Sequence, residues 1–157
     1  MRVKLSYPIL VVLLGIGVLA ARNARSASSQ DRGRGSSQLE PSDAQITRGK
    51  YLVEEVARCT ECHTPHNPDG SLDRTRWLAG SPIWIRPTQP ISGWADRAPA
   101  LAGFPGYSDQ QAAKVLEQGQ GLEGEPLRPP MHTYHLHHND AMAIVAYLRS
   151  LPPAPAH

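Results

Sequence analysis

Apolar and small side chains recur with helical spacing in three stretches of the chain, each bounded by residues that start or stop helices. In the first, which opens at Ser42 or Asp43, Ile46 is followed by Gly49, Val53 and Val56 at offsets of three, seven and ten, and the run leads directly into Cys59. The second begins with Ser108-Asp109-Gln110-Gln111, a Ser-x-x-Gln capping box, continues through Ala112, Val115 and Leu116, and stops at Gly119 after about three turns. The third starts near Asn139 or Asp140, places Ala141, Ile144, Val145, Leu148 and Leu151 on one face, and is ended by Pro152 and Pro153. Between His63 and Tyr107, prolines and glycines interrupt every pattern, and Trp77, Trp84 and Trp94 are scattered through the stretch. No alternation there lasts long enough to predict a sheet. The pattern predicts a small all-α domain of about three main helices, with loops wrapped around a ligand.

The chemistry of that ligand is written at the end of the first helical run. The chain has two cysteines, and both lie in Cys59-Thr60-Glu61-Cys62-His63. Two thiols at this spacing can add to the two vinyl groups of one porphyrin, and the histidine that follows then lies beneath the iron, which is the c-type haem attachment pattern. Cys59 and Cys62 are thus the candidate attachment residues and His63 the candidate axial ligand. Zinc and dithiol readings stay open. Zinc needs further ligands, and His132, His135, His137 and His138 lie far downstream without a thiol. A redox dithiol favours a βαβ context, which the pattern lacks.

Covalent haem attachment takes place outside the bacterial cytoplasm, so an export signal is expected, and the N-terminus has that layout. Arg2 and Lys4 precede a 13-residue apolar run from Ile9 to Ala21, and small residues follow, with cleavage after Ala20 or Ser26 fitting the small-residue rule. Residues 1–26 read as a signal peptide. The alternative is an uncleaved membrane anchor, since Tyr7 and Pro8 extend the run towards a marginal span. Arg22, Arg25, Arg32 and Arg34 after the run outnumber the two basic residues before it, which by the positive-inside count alone would leave the rest in the cytoplasm. The haem motif outweighs that count.

Residues 27–42 are rich in Arg, Ser, Gly and Gln and read as a tether, leaving a domain over 43–153 and a short tail, 154–157. Charge follows the same division: residues 1–42 hold six basic and two acidic side chains, against ten and twelve in 43–157. The formal +2 of the chain therefore belongs to its leader and tether, and a nucleic-acid-binding surface has no support in the domain. One Phe, three Trp and five Tyr are few for a core of this size, and a buried porphyrin would supply the missing apolar mass.

The order helix, Cys-x-x-Cys-His, proline-rich loop, short helix, Met and C-terminal helix resembles the class I cytochrome c fold. More narrowly, Arg48-Gly49-Lys50-Tyr51-Leu52-Val53, the stretch Cys59 to Thr64, Leu78-Ala79-Gly80, and Met131 with Ala146-Tyr147-Leu148-Arg149-Ser150-Leu151-Pro152 resemble the cytochrome subunits of membrane-associated alcohol and gluconate dehydrogenases. Those subunits usually carry several haems, whereas this chain has one motif, and their Asn-Ile-Thr-Pro stretch is absent near Trp84 to Ile91. The resemblance implies that the first and last helices cross beside the haem, with Gly49 facing Tyr147, a glycine letting two backbones approach while a tyrosine fills the gap.

It also implies a methionine as the sixth iron ligand. Met131 fits: it follows Pro129 and Pro130, which stiffen its approach, and it lies 68 residues beyond His63, ahead of the last helix. Met1 is in the leader, and Met142 falls within the last helix, where packing suits it better. The rival ligands are His132, which stands where related sequences have proline, and His135, His137 and His138; the alternative for these four is a solvated loop. Trp77 and Trp84 are candidate donors to a haem propionate, with Arg74, Arg76 or Arg86 nearby, or else plain core residues.

A single haem c with His63 and Met131 on the iron implies an exported one-electron carrier, with no catalytic residue, passing electrons between a dehydrogenase-type donor and a respiratory acceptor. Redox proteins are then the expected partners, and membrane contact is expected only through the N-terminal segment. The alternative is a haem protein whose sixth ligand is displaceable and which binds a gas or peroxide.

Overall fold

Ser42 starts the first helix as expected: its hydroxyl accepts the Gln45 N–H at 3.2 Å, satisfying one of the donors that the first turn leaves free. The computed structural model describes residues 40–154, so the leader or anchor (1–26), almost all of the tether (27–42) and most of the tail lie outside the described residues. Helix α1 (Asp43–Tyr51) continues into a π-helical turn, Leu52–Val56, and is followed by α2 (Cys59–His63). A 3₁₀ turn at Arg74–Arg76 and two short strands, β1 (Ser81–Pro82) and β2 (Arg97–Ala98), lie in the long loop region. Helices α3 (Asp109–Gln118) and α4 (His138–Ser150) complete the order.

Two expectations change here. The first helix does not run directly into Cys59. The Ala57 N–H reaches back five residues to the Leu52 carbonyl (2.8 Å), and Arg58 then adopts a left-handed conformation (φ 50°) that breaks the chain direction before α2. A turn closed over five residues holds one residue more than an α turn, so the helical phase slips, and Val56, counted with the apolar face, is 56% exposed. The loop region also contains the antiparallel pair β1–β2, with Ser81 opposite Ala98 and Pro82 opposite Arg97. At two residues per strand, no alternation could have announced it.

The other two helices form much as their sequences direct. Both halves of the Ser108/Gln111 capping box are made, and Gly119 ends α3 in the left-handed conformation (φ 67°). Helix α4 starts at His138, slightly earlier than expected, and ends at the extended Leu151 before Pro152. It buries Ala141, Ile144, Val145 and Leu148, and also Ala143, Ala146 and Tyr147, so its buried face is wider than one stripe.

Helix α4 is the centre of the packing. It crosses α1 at Gly49, where a Cβ would stand 1.9 Å from the Ala143 carbonyl oxygen and 2.8 Å from the Tyr147 Cβ. Only a glycine admits so close a crossing. Around it, Arg48 pairs with Asp140 (3.0 Å), and the Tyr147 hydroxyl donates to Glu54 (2.5 Å). On its other side, Arg149 pairs with Asp109 (3.0 Å) and donates to the carbonyls of Gly103, Phe104 and Tyr107, fixing the approach to α3. Leu52, Val53, Leu78, Ile144, Val145 and Leu148 form the middle of the core, and Cys59 lies in the same cluster. A mostly helical domain results, compatible with a small cytochrome c fold.

Candidate haem-attachment site

Helix α2 brings Cys59, Cys62 and His63 onto one five-residue segment. His63 is buried, and its Nδ1 lies 2.7 Å from the Pro99 carbonyl oxygen. A carbonyl can only accept, so Nδ1 carries the proton and Nε2 keeps its lone pair for a metal. Burial lowers the pKa of His63, an effect the Pro99 contact opposes in part. The ring is therefore held neutral, as an iron ligand must be.

Pro99 reaches His63 through a relay of backbone contacts centred on Leu78-Ala79-Gly80. The Gly80 N–H donates to the His63 carbonyl (2.8 Å), and the buried Thr64 hydroxyl accepts the Leu78 N–H (3.0 Å). The Leu78 carbonyl in turn accepts from Leu101 (2.8 Å) and Ala102 (3.1 Å). Gly80 has φ 83°, and a Cβ there would lie 2.9 Å from the Ala100 nitrogen and 3.0 Å from the Ala98 carbonyl. The bare backbone at Gly80 thus lets residues 98–100 close against the His63 segment and deliver the Pro99 carbonyl.

The thiols of Cys59 and Cys62 are unjoined. Burial pushes Cys59 up to about 11 and also raises Cys62. An exchange-active dithiol works through a lowered pKa, so this environment disfavours that alternative. Among the described residues no three His, Cys, Asp or Glu side chains gather into a metal-ligating cluster, which is what a structural zinc ion would need.

Met131 lies in the loop before α4, half-buried, its N–H bonded to the Arg128 carbonyl (3.1 Å). Two links tie this segment to the Trp94 loop: Ala95 N–H donates to the Pro129 carbonyl (2.7 Å), and the Arg128 guanidinium donates to the carbonyls of Gly93 (3.0 Å) and Trp94 (3.1 Å). A third returns it to the attachment segment. The Tyr134 hydroxyl donates to the Ala57 carbonyl (3.1 Å), and burial raises its pKa to about 12, with smaller contributions from Cys59 and Cys62. The Tyr134 side chain, three residues beyond Met131, thus reaches the turn that precedes the two thiols. The rival histidines are all exposed: His132 packs on the Tyr134 ring (4.3 Å between centroids), His137 stands at the N-cap position of α4 without a side-chain cap bond, and His138 Nδ1 lies 2.8 Å from Glu117.

Trp77 and Trp84 were open between propionate donors and core residues. Trp84 donates its indole N–H to the Glu61 carbonyl (3.3 Å), and Trp77 lies against the Tyr147 hydroxyl with the Arg74 guanidinium 4.2 Å above its ring. Both are engaged within the protein. Trp94 Nε1 is buried without a partner among the described residues, and a buried donor calls for an acceptor. A haem propionate is such an acceptor, so the residues present fit the group that the cysteine motif implies. Neither Trp94 nor the Pro99 carbonyl stood out in the sequence, since the first is one tryptophan of three and the second is a backbone atom 36 residues from its partner.

Comparison with known proteins agrees with the motif. No protein-family model matches the chain. It is 35% identical over 115 residues to the fructose dehydrogenase cytochrome subunit of Gluconobacter japonicus, an alignment covering 67% of this chain and 22% of that protein. It is 35% identical over 106 residues to a diheme cytochrome c-type of Cereibacter sphaeroides, covering 67% and 35%, and 31% identical over 128 residues to the cytochrome c subunit of the alcohol dehydrogenase (quinone) of Gluconacetobacter polyoxogenes, covering 72% and 26%. The chain thus spans between 22% and 35% of the length of these relatives. The resemblance to cytochrome subunits of dehydrogenases holds.

Proposed function

We propose that this chain is an exported mono-haem c-type cytochrome domain that carries single electrons, with the haem bonded to Cys59 and Cys62 and its iron held by His63 and Met131. The observation that carries this reading is the buried His63, its Nδ1 bonded to the Pro99 carbonyl, on the helix that bears both thiols. When bound, haem c supplies a one-electron Fe(III)/Fe(II) couple. The chain's own residues hold and shield it. The Pro99 bond fixes the imidazole tautomer and aims Nε2; the Trp94 N–H supplies a donor for a propionate; the Arg128 and Tyr134 contacts hold the Met131 segment in place. Held by the His63 imidazole and the neutral Met131 thioether, the iron would favour the ferrous state and so a raised potential. His63 and Met131 would both serve the iron in this reading, which assigns no catalytic residue.

The relatives named as dehydrogenase cytochrome subunits support a dehydrogenase-type donor; the acceptor in this reading is a respiratory one. The chain matches about a quarter of the length of most of them, and one is named a diheme protein, which supports reading the chain as one haem-bearing unit. Among the described residues no helix is long and apolar enough to cross a membrane. The membrane contact in this reading is through residues 1–26, as leader or anchor, which lie outside the described residues.

Production in a host that exports and matures c-type haem, followed by mass measurement of the denatured protein, tests the attachment. One covalent haem per chain is expected, lost when Cys59 and Cys62 are both replaced by Ser. A colourless protein of apoprotein mass would overturn the proposal. Rapid binding of carbon monoxide to the native ferrous protein would move it to the gas- or peroxide-binding alternative.

A further inference from the structure

Pro129 and Pro130 deprive the stretch before Met131 of two backbone donors, so other groups must tie it to the domain. An acceptor and one side chain do so. The Pro129 carbonyl accepts the Ala95 N–H (2.7 Å), and the Arg128 guanidinium donates to the carbonyls of Gly93 (Nε, 3.0 Å) and Trp94 (Nη2, 3.1 Å). Arg128 acts through its backbone as well: its carbonyl accepts the Met131 N–H (3.1 Å), closing the turn that presents the methionine. One residue therefore grips the Trp94 loop with its side chain and the Met131 turn with its backbone.

The grip is directional. Two donors of one planar group on the carbonyls of consecutive residues resist rotation as well as separation, and each bond is charge-assisted, unlike the neutral bond from Ala95 to Pro129. Lysine would supply the charge without the fork. The gripped loop also carries the buried Trp94 Nε1, the donor left without a partner among the described residues.

We infer that Arg128 is a positioning residue that couples the contact of Trp94 with a haem propionate to the contact of Met131 with the iron, so that loosening the first loosens the second. This rests on the reading of the chain as a haem c unit with His63 and Met131 on the iron. The coupling follows the bonds: an indole N–H held by a propionate fixes residues 93–95, these fix the Arg128 side chain, and the Arg128 carbonyl fixes Met131. Without the guanidinium, only the Ala95 bond to Pro129 remains of the three, and the Trp94 contact loses most of its hold on the methionine.

Imidazole competes with a methionine for ferric iron, so its titration into the ferric holoprotein, followed by loss of the far-red band, reads how firmly Met131 is held. Arg128→Ala is expected to bind imidazole about fivefold or more tighter than wild type, the scale of one net hydrogen bond, with Arg128→Lys between the two. Trp94→Phe should tighten binding about threefold or more when Arg128 is present and less than about 1.5-fold when it is alanine, the non-additivity of groups that act through one another. Lys114→Ala, which removes an exposed charge on α3, should change nothing. A merely structural role for Arg128 would leave the Trp94→Phe factor the same in both backgrounds. Should Arg128→Ala fail to retain haem, the Arg128→Lys background serves for the same comparison, with a reduced Trp94→Phe factor expected. Equal imidazole affinity of wild type and the Arg128 variant, or equal Trp94→Phe factors with and without Arg128, would overturn the coupling. A wild type without covalent haem or without the far-red band would instead overturn the reading on which it rests.

Discussion

His63 illustrates how a residue near a chemical motif is made useful by residues far from it. Its partner is the Pro99 carbonyl, and Pro99 is held there because Thr64, Leu78 and Gly80 fold the intervening loop back on the helix that carries His63. Thr64 has no exposed surface, and its hydroxyl accepts the buried Leu78 N–H. Replacing it with Val keeps the shape and strands that donor, so Thr64→Val is expected to lower stability by about 1–3 kcal/mol in urea unfolding. An unchanged midpoint would remove the Thr64 contact from the relay. Trp94 gives a test whose sign is informative. If its N–H donates to a propionate, Trp94→Phe in the holoprotein costs about 1.5–3 kcal/mol, as for a bond to a charged group. If the N–H has no acceptor, the same substitution removes a buried unpartnered donor and the protein becomes more stable. Urea unfolding of the haem-loaded variant distinguishes the two.

Among the elements, the α1–α4 crossing is the tightest junction. A Cβ at Gly49 would overlap the Ala143 carbonyl, so Gly49→Ala must push the helices apart or bend one of them. A loss of about 1–3 kcal/mol is expected, the usual scale for overpacking, read as a lowered thermal midpoint. The 3₁₀ turn at Arg74–Arg76 depends on Asp73, which accepts from the Thr75 hydroxyl (2.6 Å) and backbone N–H (2.9 Å) and pairs with Arg76 (2.7 Å). These bonds hold its pKa down to about 2, the Thr75 hydroxyl contributing most. A carboxyl depressed in the folded state adds stability above its ordinary value near 4, and that contribution is lost as pH falls from there towards 2. Asp73→Asn should therefore make stability less dependent on pH between about 4 and 2, while leaving the dependence above pH 5 as it was. Equal acid-unfolding profiles for the two proteins would contradict the role given to Asp73.

Across the whole molecule, what could be read from the chain divides by range. Local signals were enough where a few consecutive residues decide the outcome: Ser108 with Gln111 at one helix start, Gly119 at its end, and Pro152 after the last helix. Gly49 and Tyr147 came from family resemblance, and the close crossing at Ala143 supplies the physical reason. The break between Val56 and Cys59 was hidden because the apolar spacing continues through it, and only the hydrogen bond from Ala57 to Leu52 shows that the turn widens. Pro99 was hidden because a backbone carbonyl leaves no mark on composition. Trp94 was hidden because its significance lies in a partner that its neighbours do not supply.

The measurement that bears most directly on the proposed carrier is the optical spectrum, oxidised and reduced, of the protein matured with c-type haem. Sharp low-spin bands on reduction are expected, with the weak far-red band of methionine-to-Fe(III) coordination in the oxidised form and loss of that band in Met131→Ala. High-spin bands, or low-spin bands lacking the far-red feature in the wild type, would contradict ligation by His63 and Met131.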